Sequence, residues 1–431
     1  MHVIVIGGSI SGAESVRALV DNPEVTSIDW FEAGDLALVQ GWGANAAMHL
    51  SALAQQGVTV HNQTTVTQLN PATHSLTATT GASSQDYSYD KLILSTGSAA
   101  IELPLPGAKL DGVMSIAHRS SIFTLKKQVQ NPDIKNVVIV GAGYIGVMFA
   151  EPFNQAGKHV TVVDIADQPV ATNLDSEFSS QIAANMTESG VTLALGEGVQ
   201  EFIGQDGHVT AVRSEKGTYP ADLVIVAVGN RANTAWLQGI VDLDSRGVVK
   251  TDAYMRTSDP DILAVGDATT VNYLPTDTEL RISLASNAAR GGRFAGRYLG
   301  APTRKFPGVS GTSALEVFGK FFAATGLSTV TAGKSGAAVA SSFVTAPLLM
   351  ADAPATMNAE IQFKLIYDPT SRRVLGAQLL SDVNVTAYIN VVALAIQAKM
   401  TVEDLEYADF FFQPSLAAPI NVINEAELAA N

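Results

Sequence analysis

Two apolar runs of this chain are each followed at once by a glycine-rich turn and a segment with a helical pattern. Residues 3–6 form the first run, the turn occupies 7–12, and a helix is predicted from about 13 to 20. The second unit repeats the design with a run at 137–140 and a turn at 141–146. A buried strand, such a turn and a helix N-terminus together bind the pyrophosphate of a dinucleotide. The pattern therefore predicts two dinucleotide-binding units.

Each unit also places a carboxylate where its second predicted strand ends. Glu32 lies about 20 residues past the first turn, and Asp164 holds the same place in the second unit. An acid at this point accepts hydrogen bonds from ribose hydroxyls, although an isolated strand-end acid is usually only solvated. Ser9 stands where the middle glycine of the first turn is expected, a mild departure because its side chain is small.

The rest of the chain predicts further strands and a different kind of domain at the C-terminal end. Apolar or alternating runs lie at residues 91–97, 221–229, 262–266, 360–367 and 374–380. A helix is predicted from about 385 to 399, and Thr401 with Asp404 predicts the N-cap of one more. We therefore expect an α/β protein with two Rossmann-like domains and a C-terminal α+β domain.

Composition narrows the functional classes. With 431 residues, of which 47% are hydrophobic, the chain exceeds a single core. A net charge of −15 argues against nucleic acid and anionic membrane surfaces as partners. The late apolar run 389–396 is too short to cross a bilayer, and a first strand at residue 3 leaves no room for a targeting segment. We expect a cytoplasmic protein without membrane insertion.

The chain contains no cysteine. Disulfides, thiolate metal sites and thiol catalysis are therefore excluded. Its seven histidines show no metal-ligand spacing, so no metal site is expected.

Five segments carry a resemblance that covers essentially the whole chain. They are the paired glycine turns with Gly143-Tyr144-Ile145-Gly146, the turn Ser95-Thr96-Gly97, the run Ala264-Val265-Gly266-Asp267-Ala268 and the tail Tyr407-Ala408-Asp409-Phe410-Phe411-Phe412-Gln413-Pro414. Together they resemble the NADH peroxidase and NADH oxidase group of the pyridine nucleotide–disulfide oxidoreductase family. The resemblance implies an FAD-binding domain at 1–107 and 231–301, an NADH-binding domain at 108–230 and a dimerisation domain at 302–431.

The resemblance also implies roles for individual residues. Tyr144 would shield the flavin until the nicotinamide displaces it, and Asp267 would bond the ribitol chain. The positions implied for cofactor binding are Gly7, Ser9, Gly12, Glu32, Thr96, Gly97, Asp267 and Ala285, with Gly141, Gly143, Ile145, Gly146, Asp164 and Gly229 for NADH. The tail at 406–414 would form a homodimer or homotetramer contact and help close the partner's flavin site, the alternative being an intramolecular core.

Departures from the family cluster where its chemistry takes place. Trp42 stands at the position of the redox cysteine and Ile10 at that of the active-site histidine. Ala289 replaces an expected arginine, although Arg290 follows, and Met148 replaces a glutamate near the nicotinamide. Pro152 is expected to kink or end the second helix. Thiol peroxidase chemistry is therefore not expected.

Three functions remain open at this stage. The chain could pass electrons from NADH through FAD directly to dioxygen, as a peroxide-forming NADH oxidase. Trp42 and Ile10 could instead shape an apolar pocket for a small organic acceptor such as a quinone. The third possibility belongs to a different class, a flavin-bearing binding or sensor protein that has lost turnover. Met148 and Pro152 favour this alternative, whereas the intact second turn argues against it.

Overall fold

A computed structural model describes residues 1–116, 119–300, 303–350, 353–354 and 358–430. Its first sheet is wholly parallel, and its central strand is the one that precedes the first glycine turn. In spatial order the strands are Ile262–Ala264, Lys91–Leu94, His2–Ile6, Ser27–Phe31 and Val58–His61. Strand residues such as Val3, Ile4 and Val5 are fully buried because helices and loops cover both faces of a parallel sheet.

The second sheet repeats this arrangement. Its strands, all parallel, are Thr192–Leu195, His159–Asp164, Asn136–Val140, Leu223–Val226 and Val113–Ser115 in spatial order. The strand that leads into the second glycine turn again lies in the middle. Both turns therefore emerge at the carboxyl edge of a sheet, where open α/β sheets bind ligands.

The C-terminal segment forms an antiparallel sheet. Its strands in spatial order are Ser313–Val317, Lys320–Gly326, Val374–Ser381, Glu360–Tyr367 and Ala340–Pro347. Three smaller antiparallel groups are Thr65–Asn70 with Ser75–Thr80 and Ser83–Ser88, Val199–Gln205 with His208–Ser214 and Thr218–Pro220, and Val271–Tyr273 with Thr278–Leu280. The strand Asn230–Ala232 pairs with Ser98–Ala100 and so joins the second unit to the first.

The helices of the described residues are Ile10–Val20, Leu36–Gln40, Ala46–Gln55, Arg119–Val129, Tyr144–Gln155, Ser176–Glu188, Ala285–Arg297, Thr329–Ser335, Ile389–Ala398, Val402–Glu406 and Val422–Leu428. None of these helices is long and apolar enough to cross a membrane. The α/β class with two Rossmann-like sheets is confirmed. The domain limits drawn from the sequence stay predictions.

Local expectations differ from the structure at three helices. The first helix begins at Ile10 rather than near residue 13, and the late helix begins at Ile389 after a 3₁₀ turn. Pro152 does not end its helix, which continues to Gln155. Because Pro152 lies in the last turn and is exposed, the bond lost at its missing N–H affects only that end. The N-cap predicted at Thr401 is confirmed, since Asp404 accepts from its backbone N–H at 2.8 Å.

Candidate functional site

The first glycine turn is shaped by close contacts that leave no room for side chains. Gly7 has a φ of +109°, and a Cβ there would lie 2.0 Å from the Ser95 carbonyl oxygen. A Cβ on Gly12 would lie 1.9 Å from the carbonyl oxygen of Gly7. Gly12 therefore lets the helix approach the strand, while Gly7 allows the turn.

The turn opens into a cavity of about 1530 Å³ at the carboxyl edge of the first sheet. The predicted residues that line it are Gly7, Ser9, Ile10, Glu32, Thr96, Gly97, Ile145, Asp267 and Ala285. Ordinary small-molecule pockets enclose roughly 300–1,000 Å³, so this one has space for a large cofactor and a second molecule. One cavity thus brings together residues from four separated parts of the sequence, which are 7–32, 96–97, 145 and 267–285.

Polar groups from separate segments line this cavity. Glu32 accepts from the backbone N–H groups of Gly8 and Gly34, both at 2.6 Å. Asp267 accepts from the Ser98 hydroxyl at 2.8 Å. The Thr96 hydroxyl oxygen is buried and has no hydrogen-bond partner among the described residues. A buried unpaired hydroxyl is costly, and a bound polar group would satisfy it. These residues fit FAD.

The second turn repeats the geometry of the first. Gly141 has a φ of +109°, and a Cβ on Gly146 would lie 1.8 Å from the Gly141 carbonyl oxygen. A Cβ on Gly143 would meet nothing within 4 Å, which leaves this residue open on the outer side of the turn. Asp164 accepts from the backbone N–H groups of Ala142 at 2.5 Å and Ala166 at 2.7 Å, as Glu32 does in the first unit. Gly229 follows the neighbouring strand with a φ of +105°.

Of the three predicted catalytic positions, the structure puts only Ile10 in the cavity wall. Trp42 is not among the described residues that line the cavity; its ring stacks on His49 at 4.9 Å and packs on the core of the first unit. Tyr144 is not among the described lining residues either, and its ring packs against Phe322 of the C-terminal sheet. The adjacent Ile145, 44% exposed, lines the cavity instead.

Two further departures lie away from the cavity. Met148 packs against the core shared by the second unit and the C-terminal sheet. Arg290 lies over the Phe306 ring, with its guanidinium carbon 5.5 Å from the ring centroid. Neither residue is among the described residues that line the large cavity.

Sequence reasoning missed two polar residues beside Asp267. Ser98 comes directly after the turn at residues 95–97. Its place beside that turn was the sequence signal that could have identified it. Arg281 lies in no motif, and its guanidinium is 3.8 Å from the Asp267 carboxylate. Burial lowers the pKa of Arg281 from its ordinary value, while the charge of Asp267 opposes that effect.

Comparison with known proteins decides the family. The profile of the family described as pyridine nucleotide-disulphide oxidoreductase matches residues 1–292, and that of its dimerisation domain matches residues 317–422. The chain belongs to the pyridine nucleotide-disulphide oxidoreductase family. The resemblance inferred from the glycine turns and the tail is thereby confirmed.

Relatives in this family include NADH oxidases that span the whole chain. An NADH oxidase from Enterococcus faecalis is 35% identical over 447 residues, covering 100% of this chain and 99% of that protein. A solved structure of the water-forming NADH oxidase from Lactobacillus brevis, bound to NADH, is 30% identical in sequence to this chain. The two structures superpose with a TM-score of 0.92, and the match covers 100% of this chain and 98% of that one. An engineered water-forming NADPH oxidase derived from it, bound to NADPH, gives 29% identity and a TM-score of 0.90 over the same shares of the two chains.

Proposed function

We propose that this chain oxidises NADH through bound FAD and delivers both electrons directly to dioxygen, releasing hydrogen peroxide. When bound, FAD accepts a hydride from NADH and returns two electrons to an acceptor. The balance is NADH + H⁺ + O₂ → NAD⁺ + H₂O₂. Going on to water would require a second electron pair delivered to the peroxide. The observation that carries the proposal is the complete absence of cysteine from the 431 residues, because a thiolate is the group that would reduce peroxide.

The two turns support the binding half of this proposal. Glu32, Thr96 and Asp267 offer hydrogen-bonding groups along the cavity that suits FAD. The second turn, with Asp164 at its strand end, suits the adenosine half of NADH. Both lie at sheet edges joined by the pairing of Ser98–Ala100 with Asn230–Ala232. Family membership and the names of the full-length relatives support the same pair of cofactors.

The cavity wall supports the product assignment. Ile10 lines the cavity at the position where the resemblance implies a histidine, and no histidine, lysine or tyrosine is among its described lining residues. The described wall therefore offers no imidazole, the side chain best suited to protonate a departing hydroxide near neutral pH. This chain should differ in its product from the relative named as water-forming.

An organic acceptor is the second candidate, and a specific observation favours it. The wall includes several large apolar side chains, which are Ile10, Leu38, Val39, Ile145 and Leu284. Apolar walls with few polar groups are typical of sites for small organic molecules. A quinone that fits there would take the same two electrons in place of dioxygen.

Anaerobic reduction followed by reoxidation tests the proposal. NADH should bleach the yellow protein, and air should restore the colour with about one peroxide formed per NADH consumed, measured by the oxygen that catalase returns. Faster reoxidation by a quinone than by air would favour the organic acceptor. Water as the product would overturn the direct-peroxide proposal. Protein that stays yellow with NADH would instead favour the binding or sensor function.

A further inference from the structure

The side chain of Arg281 bonds two segments of the cavity region that are far apart in sequence. Its Nε donates to the carbonyl oxygen of Asp267 at 2.9 Å. Its two terminal nitrogens donate to the carbonyl oxygen of Asn230 at 3.1 Å and to the Asn230 side-chain oxygen at 2.5 Å. The side chain is 15% exposed, so these bonds are shielded from solvent. One guanidinium thus joins the turn that carries Asp267 to the strand that begins at Asn230.

That strand is where the chain returns from the second unit to the FAD cavity. It follows Gly229 and the sheet strand Leu223–Val226, and it pairs with Ser98–Ala100. Directly after it, the Asn233 side chain donates to the Thr96 carbonyl oxygen at 3.1 Å. A shift of this strand would therefore move the second glycine turn relative to the cavity.

Only an arginine side chain fits the arrangement. The guanidinium offers five donors in a rigid plane, which lets it bond three acceptors on two segments at once. A lysine ammonium is a single point and could serve one segment at a time. Asp267 and Asn230 would then keep partly buried oxygen acceptors without partners.

We propose that Arg281 is a positioning residue that holds the NADH-binding unit in place against the FAD cavity, so that the nicotinamide meets the flavin at transfer distance. The inference rests on the proposed oxidation of NADH by bound FAD. Arg281 acts through Asn230 and Asp267 and does not line the cavity itself. Rates of transfer between bound groups fall by about 100-fold for misplacements of roughly 1 Å.

Stopped-flow reduction of the flavin-loaded protein tests the consequence for the reaction. In Arg281→Gln the limiting rate of flavin reduction by NADH should fall by about 10- to 100-fold, with the apparent Kd for NADH within about threefold of the parent. Dithionite, which needs no nicotinamide alignment, should reduce both proteins at the same rate. Arg281→Lys should not restore the NADH rate. Arg293→Gln, an exposed arginine paired with Glu14, is the matched control and should behave as the parent.

The partnership with Asn230 supplies a second criterion. Asn230→Ala should also slow reduction by NADH, and the double variant with Arg281→Gln should be no slower than Arg281→Gln alone. The proposal would be overturned if the rate losses of the two single variants multiplied in the double variant. It would also be overturned by an unchanged limiting rate in Arg281→Gln, or by an equal loss of rate with dithionite.

Backbone hydrogen exchange tests the clamp without using activity. In Arg281→Gln, the backbone amides of Asn230–Ala232 and Ser98–Ala100 should exchange at least about tenfold faster than in the parent. If Arg281→Gln is recovered without flavin, Arg281→Lys takes its place in this measurement. Amides of Asn136–Val140 in the same unit should keep their parent rates. Unchanged exchange in the paired strands would refute the clamp. A parent protein that NADH fails to reduce would refute the proposed function, while the exchange result would still decide the role of Arg281.

Discussion

The hydroxyl oxygens of Tyr144 and Ser313 lie 2.7 Å apart, so the second glycine turn is bonded directly to the C-terminal sheet. Both groups are partly buried, and the Tyr144 ring also packs on Phe322 at a centroid distance of 5.3 Å. Burial raises the pKa of Tyr144 to about 12, an effect that the bond to Ser313 opposes. Tyr144 therefore couples the second glycine turn to the C-terminal segment.

The alkaline stability of the protein should depend on this tyrosine. Since the pKa of Tyr144 is raised on folding, its contribution is fully present below the unfolded pKa near 10 and is lost as pH rises toward 12. Between pH 7 and pH 11 the parent should lose about 1.4 kcal/mol more stability than Tyr144→Phe. Urea unfolding at both pH values measures the difference. Tyr254→Phe, at a partly exposed tyrosine, is the control; equal losses in the parent and Tyr144→Phe would contradict the prediction.

Flavin retention should depend on Asp267. In Asp267→Leu the carboxylate that faces the cavity is lost and the Ser98 hydroxyl loses its acceptor. A cost of about 1–3 kcal/mol corresponds to roughly 5- to 150-fold weaker FAD binding. Absorbance of bound flavin after ultrafiltration measures it, and Asp382→Leu on the exposed surface should retain FAD like the parent. A parent protein that is colourless and takes up no FAD would contradict the assignment of the cavity.

Preference for NADH over NADPH should depend on Asp164. A carboxylate there repels a 2′-phosphate, and no arginine lies between residues 164 and 175 to bind one. Ile165 is 81% exposed, so an arginine in its place has room to meet the phosphate. Asp164→Ala with Ile165→Arg should relax or reverse the preference, measured as the ratio of kcat/KM values. Equal use of NADPH by the parent would show that Asp164 does not face the ribose.

Assembly should depend on the phenylalanines of the tail. Phe411 is 66% exposed and Phe412 48% exposed in the single chain, whereas Phe410 packs on the C-terminal core. Exposed aromatic patches mark contacts, and the family's dimerisation domain covers this region. We expect Phe411→Ser with Phe412→Ser to shift a dimer or tetramer toward monomer in light scattering.

Point substitutions test the tail better than truncation after Leu405. Truncation would also delete the helix Val422–Leu428, whose Ile423 and Ala426 are buried in the core, and so would unfold the segment. Leu394→Ser is the control, because Leu394 is exposed on a separate helix. It shows whether the loss of any exposed apolar side chain shifts the protein toward monomer. A monomeric parent would contradict the interface.

Hydrogen peroxide should not reoxidise the reduced protein quickly, because no thiolate is available to reduce it. Trp42→Cys alone should add little peroxidase activity, since Trp42 lies off the cavity wall and Ile10 supplies no proton. The double change with Ile10→His should supply the proton but should still add little activity, because position 42 stays off the cavity wall. Stopped-flow reoxidation by peroxide measures both. Fast reoxidation of the parent would mean that another group reduces peroxide.

Much of the site was decided by short-range sequence pattern. The glycine turns, Glu32 and Asp164 were found from the sequence because each belongs to a strand, turn and helix that are consecutive in the chain. In such a unit the backbone itself sets the geometry, as the parallel contacts of Gly12 with Gly7 and of Gly146 with Gly141 show. The strand Glu360–Tyr367 was likewise fixed by alternation over eight residues.

Only tertiary structure decided which side chains meet across units. Tyr144 turns to Ser313, and Arg281 joins Asp267 to Asn230, through contacts between residues separated by 14 to 169 positions. No local period or motif encodes such pairs, because side-chain direction there is set by how the units pack and by which buried polar groups need partners. The sequence alone determined that two dinucleotides bind and that no thiol takes part. The packing of the units decided which residues face the cavity.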